Sequence, residues 1–369
     1  MPSLPTRSSF RLLRAAALPV LLVLAVAAGQ APPAAPAFAA RIAALSEPGG
    51  FFDTDNLISN ERSYLQVMPD LAAAGLHGGA YIGVGPDQNF SYIARLRPSI
   101  AFIVDVRRDN LLLHLVFKAL FEQAPTRVEY LSLLFGREPP PRPDEWRTAS
   151  LERLASWIDA GRPSAARTAA IDARLDAAVK AFRVPLSDDE VATMRRFHHA
   201  FIDAGLALRF ESLGRSPRRY YPTYRDLLME TDPGGTRRHY LASESDYAFV
   251  RALEQRDLVV PVVGDLSGSK AVAAIGRLLS ERGEAITAFY TSNVEFYLFG
   301  RSTFSRFVAN LRQLPRAKGS LIIRSVFDGY ARAAAPGYAS ISLTQPIDEL
   351  LDAYANGRIR SYGELTRSR

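Results

Sequence analysis

Apolar and polar positions along the chain fall into three regimes. The first begins with Arg7, Arg11 and Arg14, runs through the apolar stretch Ala15–Ala28 and ends in an Ala/Pro-rich segment closing on Ala37-Phe38-Ala39. A basic start, an apolar middle and small residues at the end predict a cleaved export signal over residues 1–40. The apolar run is shorter than the roughly 20 residues a spanning helix needs, so no stable membrane span is expected once the leader is removed. The expected location is exported and periplasmic; the alternatives are a cytoplasmic protein or one anchored by an uncleaved leader.

The second regime alternates short apolar runs with helical periodicity. Residues 41–78 read as a polar, Gly-rich loop feeding a helix over Tyr64–Ala74. Ala80–Val84 is a short strand, Asn89–Leu96 a helix and Ala101–Val106 a second strand. That is β-turn-α-β in about 30 residues, the spacing of a parallel unit. A long apolar helix follows over Asp109–Phe121. Strand signals return at Leu258–Gly264, Ile286–Ser292 and Ser320–Val326, separated by helical stretches at Lys270–Arg282 and Thr303–Leu314. Such alternation predicts an α/β fold with a mostly parallel sheet covered by helices on both faces.

The third regime interrupts the second. After Pro139-Pro140-Pro141 and Pro143, the stretch Glu145–Leu208 is rich in Ala, Arg and Leu at helical spacing. Residues 125–245 are therefore expected to form a mostly helical insertion, dividing the α/β domain into halves at 79–124 and 246–369.

Composition narrows the function. The 369 residues are 48% hydrophobic and 22% charged, an ordinary globular balance. The formal charge of +7 falls to +4 without the three Arg of the leader, which carries no acid. The remaining basic residues are scattered apart from pairs such as Arg218-Arg219 and Arg237-Arg238, a pattern of solvated surface, so no nucleic-acid partner is expected. Cysteine is absent, which excludes disulfides, thiol nucleophiles and Cys-ligated zinc. His198 and His199 are adjacent, point in different directions on a helix and have no evident third partner; they read as structural or surface residues, and no metal site is predicted.

The chemistry concentrates at the first turn. Ala80-Tyr81-Ile82-Gly83-Val84-Gly85-Pro86-Asp87-Gln88-Asn89 carries a strand into a glycine turn and then a helix, where the backbone can approach a ligand closely. Asp105 closes the next strand about 20 residues on, where an acid can bond the hydroxyls of a ribose. A dinucleotide fits this turn poorly: Pro86 lacks an N–H, Gln88 replaces a small residue and Asp87 adds negative charge. S-adenosylmethionine, without phosphate and with sulfonium and ammonium cations, fits it better. An empty βα turn with a surface Asp is the alternative.

Two later strand ends carry polar groups. Asp265, after Val259–Gly264, is read either as a helix N-cap or as a contact to an adenine amino group. Asn293 and Glu295, amid Tyr290, Phe296 and Tyr297, must be either bonded or exposed in a pocket. Near the amino end, the block Asp53–Glu61, with Asp53, Asn56, Asn60 and Glu61, is dense in amides and carboxylates and reads as a lid or substrate wall, or as a set of turns and caps.

In order, Gly83-Val84-Gly85, Asp105, Gly264-Asp265 and Ser292-Asn293 resemble the first four core motifs of class I S-adenosylmethionine-dependent methyltransferases. The blocks Asp53–Glu61, Tyr81–Tyr92 and Phe289–Glu295 resemble the signatures of an uncharacterised bacterial family with a methyltransferase-like, Rossmann-like domain, for which no substrate is established. The resemblance implies that Gly83, Gly85 and Asp87 cradle the methionine part of the cofactor, Asp105 the ribose and Asp265 the adenine, with Asn293 on the methyl-transfer side. Tyr290, Asn293 and Glu295 are then the candidates to orient or deprotonate a small-molecule acceptor. The alternative function is a non-catalytic cell-envelope binding protein retaining the fold, which an exported location favours because S-adenosylmethionine is a cytoplasmic metabolite. A nicotinamide-dependent oxidoreductase is disfavoured by Pro86, Asp87 and Gln88.

Overall fold

A sheet of six strands organises the domain: β1 (Ala80–Gly83), β2 (Ile100–Asp105), β3 (Val259–Val263), β4 (Ile286–Ser292), β5 (Arg316–Phe327) and β6 (Ser340–Pro346), in the order β3-β2-β1-β4-β5-β6. The computed structural model describes residues 38–54, 56–214, 218, 220–327, 329–330 and 337–367. Nearly all of the expected leader, and Asp55 of the lid block, lie outside the described residues. Strands β3 to β5 pair in parallel, and only β6 runs antiparallel, against β5. This is an α/β, Rossmann-like architecture. β1, β2 and β3 are almost wholly buried, as near-continuous apolar strands require when helices cover both faces.

Edges explain several local choices. β3 holds Pro261, tolerated because β3 pairs only with β2. Its far edge is covered by the segment after the helix Phe38–Leu45: Glu47 N donates to Val263 O at 2.9 Å, and Val263 N donates to Ser46 Oγ at 3.1 Å. At the opposite edge, β6 turns Ser340, Ser342 and Gln345 inward while Ile341 and Leu343 are half-buried. Ile341 and Leu343 do alternate with Ser340 and Ser342, but it is the polar face that turns inward, and this strand is not among those expected from the sequence.

The single helix expected over Tyr64–Ala74 is broken into a 3-10 turn, Arg62–Leu65, and a helix, Met68–Ala73. Pro69 lacks the N–H that a continuous helix would use and instead sits in the first turn of a new one. The interruption between β2 and β3 contains helices Arg127–Leu134, Leu151–Ala160, Ala165–Ala181, Asp188–Ala204 and Tyr224–Leu228. Three have reciprocal caps legible in sequence: Thr126 with Glu129, Ser187 with Glu190 and Thr223 with Asp226. No helix among the described residues is long and apolar enough to cross a membrane.

Candidate functional site

The turn after β1 is held by its own side chains. Asn89 Nδ2 donates to Pro86 O at 2.7 Å and to Val84 O at 2.9 Å, while its Oδ1 accepts the Tyr81 hydroxyl at 2.8 Å. Gly83 is needed for this packing, since a Cβ there would stand 1.9 Å from Asn89 Oδ1. Gly85 has φ +82 and faces a cavity, and its carbonyl accepts a hydrogen bond from His114 Nε2 at 2.9 Å. Burial lowers the His114 pKa to about 4, so the ring is neutral near pH 7.

The cavity, of about 510 Å³, lies at the carboxyl ends of the strands. Its walls include Gly85 after β1, Asp105 at the end of β2, Gly264 and Asp265 after β3, and Ser292 and Asn293 at and after β4. β1 lies between β2 and β4, so chain order reverses on its two sides; open α/β sheets form ligand crevices there. Asn56 and Asn60 of the lid block also face the cavity.

Two acids in the wall are engaged by neighbours. Arg107 grips Asp105 through Nε at 3.2 Å and Nη2 at 3.0 Å, while Arg107 Nη1 donates to Thr54 O at 2.9 Å. The ion pair thereby fastens the Asp53–Glu61 block to the end of β2. Asp265 Oδ1 accepts Ser267 N and Oγ at 2.7 and 2.8 Å, closing an Asx-type turn. The N-terminus of the following helix, Ala271–Glu281, is capped by Glu47, whose Oε2 accepts Lys270 N at 3.1 Å. Glu47 stands more than 200 residues earlier, beyond the reach of any local capping signature.

The remaining candidates lie behind the cavity wall. Asp87 is buried, and its Oδ2 accepts the hydroxyls of Tyr224 at 2.9 Å and Tyr240 at 3.4 Å; burial raises its pKa to about 6 against the pull of those hydrogen bonds. Tyr290 is fully buried and donates to Glu61. Glu61, expected in a lid, is also fully buried and accepts the hydroxyls of Tyr290, Ser292 and Ser325; burial pushes its carboxyl up while those three donors pull it down. Glu295 is buried in an ion pair with Arg324, at 2.6 and 3.2 Å, and Arg324 donates onward to Gln345 at 2.8 Å. Of the polar pair Asn293 and Glu295, one therefore faces the cavity and the other is bonded. Asp53 contributes its backbone: Asp53 O accepts Leu213 N at 2.7 Å.

Ser292, the first residue of the Ser292-Asn293 motif, is a site residue in its own right. It has φ +54 at an irregular register between β4 and β5, lines the cavity and donates to Glu61. A non-glycine residue there costs on the order of 1–3 kcal/mol, which the buried acceptor helps offset. The Ser-Asn dipeptide closing an apolar strand was the available signal.

The insertion supplies one wall. Phe210, Ser212, Arg218, Tyr220 and Tyr221 line the cavity, and Thr54 bridges Ser212 in antiparallel fashion. Arg218, which reads in sequence as half of a short basic pair on a solvated surface, stands in this wall. His198 and His199 are elsewhere, on Leu133 O at 2.9 Å and on Asp172 at 2.9 Å.

Residues 57–139 and 186–353 match a family described as a domain of unknown function, DUF7790. The chain belongs to this family. The DUF7790 match spans all six strands and omits residues 140–185 of the insertion. It contains the cavity wall except Phe52, Thr54, Asn56 and Tyr362. No curated protein matches the chain.

Proposed function

We propose that the cavity binds S-adenosylmethionine and that the protein transfers its methyl group to a small-molecule acceptor. The position of the cavity carries this reading: it sits at the reversal of strand order, with Asp265 and the Arg107-paired Asp105 in its wall. The Asp265 carboxylate in that position favours a ligand with a cationic centre over one with phosphates. Its volume lies within the roughly 300–1,000 Å³ of small-molecule sites.

The turn disfavours a dinucleotide on further grounds. Asn89 N and Phe90 N already donate to Pro86 O and Asp87 O, so the helix start offers few free N–H groups to a pyrophosphate. The antiparallel β6 also departs from two parallel mononucleotide-binding halves. Gln88 is in the cavity wall, and its Oε1 is buried without a hydrogen-bond partner among the described residues. A ligand ammonium would satisfy it.

In this assignment Gly85, Gln88, Asp105 and Asp265 hold the cofactor, which supplies an electrophilic methyl group. Asn293 orients the acceptor, and positioning supplies most of the rate. Tyr290 and Glu295, removed from the cavity wall, act only by supporting it. Titration calorimetry of the folded protein with S-adenosylhomocysteine is expected to give saturable one-to-one binding; absence of heat overturns the proposal. A non-catalytic binding protein is the second reading, favoured by the engagement of Tyr290, Glu61 and Glu295 in buried contacts. Consumption of S-adenosylmethionine in an acceptor screen separates the two.

A further inference from the structure

The cavity has a second chemical character away from its acids. Phe52 and Tyr297 meet edge to face at 4.9 Å, and Tyr297, Phe296 and Tyr330 continue the run at 5.3 and 5.7 Å. Phe296 and Tyr330 are 40% and 47% exposed, so apolar ring surface faces water in a cavity wall. A second aromatic run, Phe210–Tyr221–Tyr220, comes from the insertion.

Two cations accompany these rings. Arg218 donates to the Tyr220 hydroxyl at 2.6 Å and stands 5.7 Å from the centre of that ring, within the second run. Arg301 follows Tyr297 by four residues, with Arg301 N donating to Tyr297 O at 3.0 Å, which places both on one helix face. The Arg301 guanidinium is exposed in the wall and engages no hydrogen bond or ion pair among the described residues. The wall therefore carries Asp265 and the Arg107-paired Asp105 at the strand ends, and rings with Arg218 and Arg301 on the insertion and on the helix Val294–Gly300 after β4.

We propose that this second end receives the methyl acceptor and that the acceptor is a planar aromatic acid, which rests on the cofactor reading above. Its ring covers Phe296, Tyr297 and Tyr330, satisfying the aromatic surface, and its carboxylate meets Arg301 and Arg218. A cofactor with net positive charge is excluded from this end by the same guanidiniums, which sorts the two ligands. Transfer to a ring hydroxyl forms an O–CH3 bond with an oxygen electron pair, leaves the C–S pair on sulfur and releases the hydroxyl proton to solvent.

The test uses calorimetry with three probes, each with and without S-adenosylhomocysteine: 4-hydroxybenzoate, phenol and cyclohexanecarboxylate. The expected result is that 4-hydroxybenzoate binds at least about tenfold more tightly than either of the others, because only it supplies both ring and anion. R218A/R301A should weaken its binding roughly tenfold and leave phenol unchanged. Tyr330→Ala, at an exposed position, should weaken 4-hydroxybenzoate and phenol alike without moving the melting temperature. Equal binding of 4-hydroxybenzoate and phenol, or equal binding of the two acids, overturns the proposal. Binding of S-adenosylhomocysteine without any binding of 4-hydroxybenzoate overturns it while leaving the cofactor reading intact. Binding of 4-hydroxybenzoate with no heat from S-adenosylhomocysteine overturns the cofactor reading, and with it the acceptor role.

Discussion

Tyr224 donates its hydroxyl to Asp87 at 2.9 Å, tying the insertion to the glycine turn from 137 residues away. Tyr240 adds a second hydroxyl to the same carboxylate, and Tyr240 N donates to Ser91 Oγ at 3.1 Å. The insertion that builds one cavity wall is thus docked on the turn that builds another.

This docking is expected to respond to pH. Asp87 ionises at about 6 in the folded protein against an ordinary 3.8, so between these values the native state holds more protons than the unfolded one. Stability from this group is fully present below the unfolded value and declines as pH rises from about 4 through 6, by at most roughly 2–3 kcal/mol. Asp87→Asn should flatten that decline, because the amide oxygen still accepts from Tyr224 and carries no charge. Urea midpoints of wild type and variant at pH 4, 5, 6 and 7 provide the check; parallel curves would show that Asp87 does not titrate in this window.

Asp105 is expected to matter twice, through the ligand and through Arg107. Asp105→Asn should weaken S-adenosylhomocysteine binding by about 1.5–3 kcal/mol, the loss of charge-assisted bonds to ribose hydroxyls. It should also lower the melting temperature, because Arg107 is only 6% exposed and would lose its charged partner. Arg107→Gln should lower the melting temperature with a smaller loss of affinity. Calorimetry and thermal melts on the same samples read both effects, and equal affinity losses in the two variants would remove Asp105 from the ligand contact.

Glu295 and Arg324 form an ion pair with side chains 1% and 2% exposed. Glu295→Gln should destabilise the fold by about 3–5 kcal/mol by leaving the guanidinium unpaired, and Glu295→Gln with Arg324→Met should recover much of that loss. Ligand affinity of the folded fraction should be unchanged in both. Denaturant titration gives the first quantity and calorimetry the second.

If the leader is removed as the sequence pattern proposes, the new amino terminus is expected at Phe38. Phe38 packs edge-on against Phe182 at 6.0 Å and beneath Lys118 Nζ at 4.9 Å, so a cut between Ala39 and Ala40 would remove a core residue and split the helix Phe38–Leu45. Ala35-Pro36-Ala37 offers the small-residue pattern immediately before it. Intact mass of the protein from fractionated cells decides; a species beginning at Ala40, or one retaining Met1, would contradict this boundary.

Much of the fold was determined by local pattern. The parallel strands β1 to β5 are apolar runs separated by helical periodicity, and β4 matches its expected span, Ile286–Ser292, because a buried strand announces itself by continuous hydrophobicity. The presence of Gly85, Asp105, Asp265 and Asn293 in one cavity was legible because strand ends in such sheets converge on one side.

What the tertiary structure alone decided is which polar groups face the cavity and which face the core. Asp87 and Glu61 look in sequence like ligand contacts, yet they are held by hydroxyls from Tyr224, Tyr240, Tyr290, Ser292 and Ser325, brought in by elements distant along the chain. Ser63 lies 2.8 Å from Ser340 and 3.1 Å from Ser342, a buried polar seam that turned β6 inside out relative to hydrophobic alternation. Arg218 joined the cavity because Thr54 and Ser212 pair across 158 residues. Sequence spacing carries the period of a helix or strand; it carries no record of which distant partner satisfies a buried hydrogen bond, and that choice placed these residues.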